Sequence, residues 1–413
     1  MSPVASSIAG PLASTITAPF DVLILGAGIA GASLAWRLAP HQRVLLVERE
    51  AQPGVHSTGR SAAMFMESYG PPQARALTRA SRAFYMNPPA GFCDVPILRD
   101  RGVLYVAQPG QHDLLEAHFK ELSATCPTLA HWSAAQTLAA APCLRPERVL
   151  AAIYEPDAMD IDVNTLHQGF LRGFKARGAA NGCALLTGLD LQTANYQAGD
   201  GNAKPEKPGL WHLQFSDGQA FDAATVVNAT GAWADRTAER FGVQPVGLVP
   251  KRRSAFTFRA PAAVDASGWP LVAGLDDSYY FKPDAGQLLG SPGNADPTHA
   301  HDVQPEDLDI ALGIHAIQEA TNLLITRPTS TWAGLRSFVP DGELVIGFDA
   351  TAPGFFWLAG QGGYGIQSAA GASALADALI RHVALPPILV QEGVEPEKMS
   401  PNRLRSPKIA GFI

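Results

Sequence analysis

The sequence predicts an α/β protein of two domains, from one short motif unit and from the chain length. Residues 21–50 contain an apolar strand, a glycine-rich turn, a helix, a second strand and a terminal acid. The consecutive apolar residues Val22 to Leu25 are typical of a buried parallel strand. The chain has 413 residues. This length exceeds what one ordinary hydrophobic core organises, so two domains are expected.

The turn after the first strand has the glycine spacing of a dinucleotide-binding βαβ unit. Gly26 allows a tight turn, Gly28 lets a pyrophosphate approach the backbone, and Gly31 lets the helix pack closely on the strand. Free N–H groups and the helix dipole favour anions at the helix start. The second strand ends at Glu48, about 20 residues beyond Gly28, where a carboxylate accepts hydrogen bonds from ribose hydroxyls. The same unit predicts cofactor contacts from Ala27, Ile29, Ala30 and Arg49.

Composition argues against two classes of partner. A formal net charge of −7 at pH 7 argues against nucleic acid, and no stretch is apolar enough for a transmembrane segment. The four cysteines (Cys93, Cys126, Cys143 and Cys183) form no CxxC pair and no metal-ligand spacing. We therefore expect buried reduced thiols, no metal site and a cytoplasmic location.

The rest of the chain alternates between helical and strand-like patterns. Residues 1–19 carry no charge and lack the features of a signal or transit peptide, which predicts a disordered extension. A hairpin-like region spans 252–289. Apolar periodicity predicts helices at 74–86, 112–122, 161–178, 301–324 and 368–382, and strands at 184–191, 211–215, 225–228, 344–347 and 355–358.

Clusters of small residues favour FAD over NAD as the dinucleotide. One follows Glu48 and suits a pyrophosphate and the edge of a flavin, and a second follows the strand at 225–228. A third precedes the last helix, whose N–H groups would stabilise negative charge on a reduced flavin. Any one cluster alone is as often an ordinary loop. Together they predict one FAD site with contacts from Thr58, Gly59, Arg60, Ser61, Ala62, Ala63, Thr230, Gly231, Trp233, Gly362, Gly363, Tyr364, Gly365 and Ile366.

Seven motifs resemble those of the D-amino acid oxidase superfamily of FAD enzymes, most closely its bacterial FAD-dependent D-arginine dehydrogenases. They read GAGIAGAS, HSTGRSAA, VVNATGAW, PKRRSAF, FKPDAG, WAGLRSF and GQGGYGIQ. The resemblance implies a Rossmann-like FAD-binding domain, discontinuous in sequence, beside a substrate domain built on a mixed antiparallel sheet. We place the FAD-binding domain at 20–66, 145–248 and 329–390, the substrate domain at 67–144 and 249–328, and a C-terminal tail at 391–413.

The same resemblance implies oxidative deamination of a D-amino acid. A hydride passes from Cα to flavin N5, and the imino acid product hydrolyses to a 2-oxo acid and ammonia. Arg336 is assigned to the substrate carboxylate, which a guanidinium fork pairs bidentately. Tyr280 and Tyr69 match tyrosines that bind substrate and cover the pocket, and Arg253 matches a further basic pocket residue. The carbonyl of Gly363 is expected to accept from the substrate amine.

The predicted side-chain pocket departs from that of the D-arginine enzymes. Met64, Met66 and Val103 stand where those enzymes have a histidine, a threonine and the glutamate that pairs with a cationic side chain. Burying a guanidinium without a paired acid costs several kcal/mol. Leu271 and Ala273 extend the same apolar wall. We therefore expect neutral or hydrophobic D-amino acids to be preferred over D-arginine.

Two alternatives stay open at this point. One is a flavin-binding protein without amino-acid turnover, and the other is a glycine- or sarcosine-type amine oxidase. Several enzymes of the latter type attach flavin through a C-terminal cysteine, but no cysteine follows Cys183, so non-covalent FAD is expected. The resemblance favours a dehydrogenase with an unidentified acceptor, such as a quinone or carrier protein. If D-arginine were preferred, Glu67 would be the first acid expected to bind it.

Overall fold

The computed structural model describes residues 18–200, 209–261 and 264–405. Of the expected N-terminal extension, all but Ala18 and Pro19 lie outside the described residues, as does the tail beyond Arg405. The strands are, in chain order, β1 (Phe20–Leu25), β2 (Val44–Glu48), β3 (Met64–Phe65), β4 (Leu98–Asp100), β5 (Val103–Ala107), β6 (Ala130–Ser133), β7 (Ala151–Glu155), β8 (Met159–Ile161), β9 (Ala184–Thr187), β10 (Leu191–Gln197), β11 (Leu210–Phe215), β12 (Ala220–Asn228), β13 (Val249–Phe258), β14 (Leu271–Gly274), β15 (Tyr280–Asp284), β16 (Gln287–Ser291), β17 (Asp296–Pro297), β18 (Ser330–Phe338), β19 (Val345–Phe348) and β20 (Phe355–Ala359).

Every predicted helix is present, one of them with clearly different limits, and the helices at 134–140, 234–240 and 387–391 were not predicted. The α-helices are α1 (Ile29–Leu38), α2 (Pro72–Met86), α3 (His112–Ser123), α4 (Ala134–Ala140), α5 (Val163–Gly178), α6 (Ala234–Arg240), α7 (Asp307–Ala320), α8 (Ala369–Ile380) and α9 (Pro387–Gln391). The expected helix at 301–324 is wrong at both ends. Glu306 is extended, and at the other end the Thr321 hydroxyl donates back to the Ile317 carbonyl while its backbone turns extended. Such local side-chain bonds compete with helix continuation.

The first sheet contains the predicted nucleotide-binding unit. Its central strands run parallel in the order β9-β2-β1-β12-β20, and β10, β11 and β19 extend it with antiparallel pairs. Val22 and Ile24 of β1 pack in one core with α1, α5 and α8. Leu23 and Leu25 pack in a second core on the opposite face. The continuous apolar run is therefore explained by burial on both faces of the strand.

The second sheet has the order β17-β13-β16-β15-β14-β5-β7-β6, with β18 also paired to β13. Its pairs are antiparallel except for β14 with β5. Strands β3, β8 and β4 form a small third sheet in that order. The α/β architecture with two domains and a mixed antiparallel sheet is thus confirmed.

Two strands and one helix pack in a different domain from the one to which the expected residue ranges assign them. Strands β7 and β18 lie within 145–248 and 329–390, yet both pair inside the second sheet. Helix α2 lies within 67–144, yet its Leu77 packs in the core of the first domain. A Cβ at Gly371 would lie 2.4 Å from the Leu77 carbonyl oxygen, so α2 and α8 are in close contact. The chain therefore passes between the two domains more often than the expected residue ranges imply.

The described part of the C-terminal tail packs against the first domain. Met399 is fully buried, and the guanidinium of Arg403 donates to Asp341 at 2.7 Å. Arg405 pairs with Asp349, which is buried. None of the helices in the described ranges combines the length and the apolar character needed to cross a membrane.

Candidate active site

A cavity of about 710 Å³ extends from the carboxyl ends of β1 and β2 to strands β13, β15 and β18 of the second sheet. Its volume is in the range typical of ligand and cofactor sites. It brings together most of the predicted site, namely Gly26, Gly28, Ile29, Ala30, Glu48, Arg49, Thr58, Arg60, Ser61, Ala62, Thr230, Gly231, Trp233, Arg253, Tyr280, Arg336, Gly362, Gly363, Gly365 and Ile366.

The glycine-rich turn has the geometry that its spacing predicts. Gly26 has φ +97°, and a Cβ on it would lie 2.5 Å from the carbonyl oxygen of Ala229. A Cβ on Gly31 would lie 1.9 Å from the carbonyl oxygen of Gly26, so only glycine fits between helix and strand. Gly28 lines the cavity, and a Cβ there would meet only the Thr58 hydroxyl at 3.2 Å. This backbone cradle fits the pyrophosphate of FAD.

Glu48 lies at the end of β2 with its carboxylate beside the turn. One oxygen accepts from the Ala27 N–H at 2.8 Å, and the other accepts from the Glu50 N–H at 3.0 Å. Each carboxylate oxygen retains a lone pair for a ribose hydroxyl. The Ile29 N–H at the start of α1 donates to Thr58 Oγ1 at 3.0 Å. Thr58 thus holds its loop against the helix, and the phosphates are left to the other N–H groups of the first turn.

Some predicted cofactor contacts lie behind the cavity wall instead of on it. They are Ala27, Gly31, Gly59, Ala63 and Tyr364, which do not belong to the cavity lining. Tyr364 is buried, and its hydroxyl donates to the carbonyl of Gly342. The carbonyl of Ala27 contacts Nε2 of the buried His167 at 2.8 Å. These residues support the loops that line the cavity.

Basic and phenolic side chains meet at the end of the cavity formed by the second sheet. Arg336 on β18 donates from Nη1 to the Tyr69 hydroxyl at 3.1 Å. Arg253 on β13 donates to the backbone carbonyl of Asn294, and its guanidinium lies 6.0 Å from the Tyr280 ring centroid. No carboxylate of the described residues forms an ion pair with either guanidinium. Two such cations favour an anionic ligand.

The pKa values of these groups reflect their mutual proximity. Burial lowers the pKa of Arg253, and the nearby positive charge of Arg336 lowers it further. Burial alone would raise the pKa of Tyr280, but both arginines hold it below its ordinary value. For Arg336, burial is outweighed by Tyr69 and Tyr280, so its pKa stands above its ordinary value. The two guanidinium groups therefore make the field around Tyr280 positive.

Gly363 lies next to the same group. A Cβ on this residue would be 2.7 Å from the Tyr69 hydroxyl and 3.1 Å from Arg336 Nη1. The backbone at 363 is therefore within reach of anything that binds between Tyr69 and Arg336. Arg336, Tyr280 and Gly363 thus line one end of the cavity, whereas Tyr69 is not part of the lining and contacts this end through Arg336.

The five residues of the predicted apolar wall form one buried cluster, to which Ala158 also belongs. The cluster contains Met64, Met66, Val103, Leu271 and Ala273, with the rings of Tyr69, Tyr105 and Tyr280 packed against it. Its members do not line the open cavity. Tyr280 contacts both the cluster and the cavity, and thus marks where they meet.

Glu67 is not available as a partner for a cationic substrate. Its carboxylate accepts from Nε of Arg82 at 2.6 Å, and Arg82 also donates to the carbonyl of Asp157. Glu67, the acid named for the case that D-arginine is preferred, is thus already paired with a guanidinium of the protein itself. The reason is that α2 places Arg82 next to it, a proximity that the loop sequence does not indicate.

Several cavity residues were missed. His56, Arg236 and Arg240 line the cavity near Trp233, and the two arginines are four residues apart on α6. That helical spacing directly after the Trp233 motif was a usable signal. Glu155 on β7 was also missed: it is buried at 1% exposure. Its strand carries no motif that would have singled it out.

The fold and the cavity define an FAD-binding oxidoreductase with two domains. Residues 21–378 match the family DAO, FAD dependent oxidoreductase, and the chain belongs to this family. FAD-dependent oxidoreductase domain-containing protein 1 of Bos taurus is 24% identical over 384 residues, covering 84% of this chain and 78% of that protein.

Solved structures with this fold include two enzymes of amino acids. L-proline dehydrogenase from P. horikoshii has a TM-score of 0.74 at 19% identity, covering 93% of this chain and 97% of that chain. Glycine oxidase from Geobacillus kaustophilus has a TM-score of 0.73 at 20% identity, covering 92% and 98%. At these identities the structural matches show the fold.

Proposed function

We propose that this protein is an FAD-dependent D-amino acid dehydrogenase that prefers neutral or hydrophobic substrates. The observation that carries the proposal is the position of Arg336 and Arg253, which face one end of the cavity without an acidic partner. The glycine-rich cradle occupies the other end of the same cavity. A ligand with a carboxylate therefore binds next to the cofactor.

Each residue of this end has a definite task in the proposed reaction. Arg336, with Arg253 beside it, binds the substrate carboxylate by charge-assisted hydrogen bonds. The hydroxyls of Tyr69 and Tyr280 fix its orientation, and the Gly363 carbonyl accepts from the amine. When bound, FAD accepts the α-hydrogen as a hydride. The imino acid that leaves the site hydrolyses to a 2-oxo acid and ammonia.

The choice of a neutral side chain rests on the apolar cluster. Met64, Met66 and Val103 belong to the buried apolar cluster behind Tyr280, and the Tyr280 ring stands between that cluster and the open cavity. The one acid on the neighbouring loop, Glu67, is paired with Arg82. A cationic side chain would therefore lose its hydration without gaining an ion pair.

The D configuration, the electron acceptor and the compartment belong to the same proposal. The resemblance to the D-arginine dehydrogenases supports a D substrate and a dehydrogenase with a quinone or carrier-protein acceptor. The matched structure from P. horikoshii is an L-proline dehydrogenase, so the experiment must include both configurations. The cysteines are free thiols, which supports a reducing cytoplasm.

Anaerobic reduction of the bound FAD by a substrate panel tests the proposal. The panel contains D- and L-leucine, methionine, phenylalanine, arginine and lysine, together with glycine and sarcosine. Loss of the oxidised-flavin absorbance with D-Leu, D-Met or D-Phe is expected. Faster reduction by glycine or sarcosine would instead favour an amine oxidase of the glycine oxidase type. Absence of reduction by the whole panel would favour a flavin-binding protein with another ligand.

A second measurement distinguishes dehydrogenase from oxidase. The rates of hydrogen peroxide formation in air and of dye reduction without oxygen are compared for the best substrate. We expect the dye to be reduced much faster than oxygen. Equal rates would show that the enzyme is an oxidase.

A further inference from the structure

The loop Met66–Tyr69 contains the Tyr69 side chain that contacts Arg336. The buried carboxylate of Glu155 accepts hydrogen bonds from this loop. Glu155 accepts from the Glu67 N–H at 2.7 Å and, less closely, from the Ser68 N–H at 3.4 Å with the same oxygen. Its other oxygen accepts from the Ser68 hydroxyl. Every one of these bonds is to a residue just before Tyr69.

The other side chain that bonds the backbone of this loop is an amide, which does not ionise. Gln367 accepts from the Met66 N–H and donates to the carbonyls of Met66 and Tyr69. Ser68 Oγ also lies 2.7 Å from the Tyr105 hydroxyl. Among the described side chains that bond the backbone of 66–69, Glu155 is therefore the one that changes charge near neutral pH.

Glu155 is placed here by strand register. In the antiparallel pair of β5 and β7 it lies directly opposite Val103, a member of the apolar cluster. It is therefore on the same side of the sheet as the proposed substrate pocket. The loop covers the Glu155 carboxylate. The carboxylate can therefore influence the pocket only through the position of the loop.

We propose that Glu155 is a positioning residue, which holds the loop Met66–Tyr69 closed and so keeps the Tyr69 hydroxyl at Arg336. This rests on the proposed function, in which Tyr69 and Arg336 bind the substrate carboxylate. When the loop opens, Glu67 and Ser68 leave the carboxylate and water replaces them. Tyr69 then loses its position, and the carboxylate site loses one of its hydrogen bonds.

Loop closure will depend on pH through this carboxyl group. Burial raises the pKa of Glu155 to about 7 in the closed arrangement, although its hydrogen bonds to Ser68 and Glu67 lower it. An open loop exposes the group and returns its pKa toward the ordinary value of 4.5. The closed form thus binds a proton more tightly than the open form, so by linkage closure is most favourable below pH 4.5 and weakens as the pH rises from there to about 7.

Two other groups that face Glu155, the Tyr105 phenol and the Cys126 thiol, do not titrate in this range. Burial, and then the charge of Glu155, raises the pKa of Tyr105 well above its ordinary value. The same effects raise the pKa of Cys126 to about 11. Glu67 is ion-paired with Arg82. A weakening of loop closure between pH 4.5 and about pH 7 is therefore expected from Glu155.

The variants Glu155→Gln and Glu155→Ala separate the two properties of the group. Gln keeps an acceptor for the Glu67 N–H and a donor for Ser68 Oγ, so it imitates the protonated acid at every pH. Ala removes all of these bonds. Asp235→Asn is a control, because the half-buried Asp235 accepts from the N–H groups of Val246 and Leu248 and holds a different loop.

Hydrogen exchange of the FAD-loaded protein measures the loop without substrate. After correction for the intrinsic exchange rate, deuterium uptake of a peptide covering 64–70 should be higher at about pH 8 than at about pH 5 in the wild type. It should stay low at both values in Glu155→Gln and be high at both in Glu155→Ala. Should the Ala variant fail to fold, Ser68→Ala, which removes only the hydroxyl link, takes its place.

A carboxylate ligand measures the consequence at Arg336. The Kd of 4-methylpentanoate, which is leucine without its amine, is followed through the absorbance of bound FAD. Glu155→Ala should raise the Kd roughly threefold to tenfold, the worth of one hydrogen bond, whereas Glu155→Gln and Asp235→Asn should not. The proposal would be overturned if Glu155→Ala had the same deuterium uptake and the same Kd as the wild type. It would also be overturned if the uptake of Glu155→Gln changed with pH as it does in the wild type. If 4-methylpentanoate does not bind the wild type, the proposed function fails, and the exchange data still decide the role of Glu155.

Discussion

The guanidinium of Arg336 donates to the hydroxyl of Tyr69 across a distance of 3.1 Å, although 267 residues separate them in the chain. This contact joins strand β18 to the loop that follows β3. It places a charged donor and a phenol at the same point of the cavity, next to the backbone of Gly363.

Replacing Arg336 by alanine should lower kcat/KM for every amino acid substrate. The expected loss is about 3–5 kcal/mol of transition-state binding, because the substrate carboxylate is left in the cavity without its charge partner. Steady-state kinetics on the substrate panel measures it, with FAD content checked by absorbance. Arg148→Ala is the control, since that arginine is exposed and paired with Glu319. A loss confined to one substrate would contradict the role in binding the carboxylate.

The apolar cluster predicts the order of substrates. D-Leu, D-Met or D-Phe should have a kcat/KM at least roughly tenfold above that of D-Arg and D-Lys, because desolvating an unpaired cation costs more than about 1.4 kcal/mol. The measurement is a kinetic panel at one pH. A preference for D-Arg would mean that the pocket supplies an acid to the substrate, with Glu67 released from Arg82.

Introducing an acid into the cluster should restore activity on D-Arg. Val103→Glu, alone or with Met64→His, gives a guanidinium an ion-pair partner. The new carboxylate lies opposite Glu155, and two like charges there are unfavourable unless a cation joins them. The gain should therefore appear with cationic substrates. Val103→Gln introduces a side chain of the same size as glutamate but without its charge, and it should not restore activity on D-Arg.

The FAD should be bound without a covalent link. No cysteine follows Cys183 in the sequence, and none of the four cysteines lines the cavity. Precipitation of the protein with acid should release yellow FAD into the supernatant, where its absorbance is measured. Colour that stays with the precipitate would show a covalent bond to another residue type.

His167 should influence how tightly FAD is held. Its ring bonds to the carbonyl of Ala27 at 2.8 Å behind the glycine-rich turn. His167→Ala should raise the dissociation constant of FAD several-fold, about the worth of one hydrogen bond, measured by flavin fluorescence on titration of the apoprotein. His167→Gln, which can still donate to Ala27, should retain more affinity. Equal affinity in all three proteins would exclude this role.

The same histidine should make the folded protein sensitive to acid. Burial lowers the pKa of His167 below its ordinary value of 6.5, although Ala27 and Glu48 oppose the shift. The unfolded chain therefore binds the proton more tightly, so this contribution to stability is present above pH 6.5 and decreases as the pH falls through the lowered value. Thermal unfolding between pH 5 and pH 8 should show a smaller decrease in His167→Gln than in the wild type.

Much of the nucleotide end of the cavity was predictable because its requirements are local. Gly26 and Gly31 lie within six residues of a strand end, and each is required by backbone atoms a few ångströms away. Local spacing therefore encodes the turn directly. Tyr364 belongs to an equally clear motif, but its hydroxyl turns to Gly342. A motif fixes the path of the backbone more firmly than the direction of each side chain.

The substrate end was predictable only as a set of residues. The resemblance identified Arg336, Tyr280 and Tyr69, and the structure brings them to one place. The engagement of Glu67 by Arg82 and the burial of Glu155 under the loop were not foreseen, because each depends on a partner from another element. Strands β7 and β18 joined the second sheet for a similar reason, since pairing is decided by partners far away in sequence.

By itself the sequence determined the α/β class, the glycine-rich turn that begins α1 and the acid at the end of β2. These features depend on the periodicity of side chains and on the steric limits of the backbone, which act over a few residues. The tertiary structure alone decided which charges are paired, which are left facing the cavity and which are buried. Such pairing depends on distances between remote segments, and the energy of a charge inside a protein changes steeply with those distances.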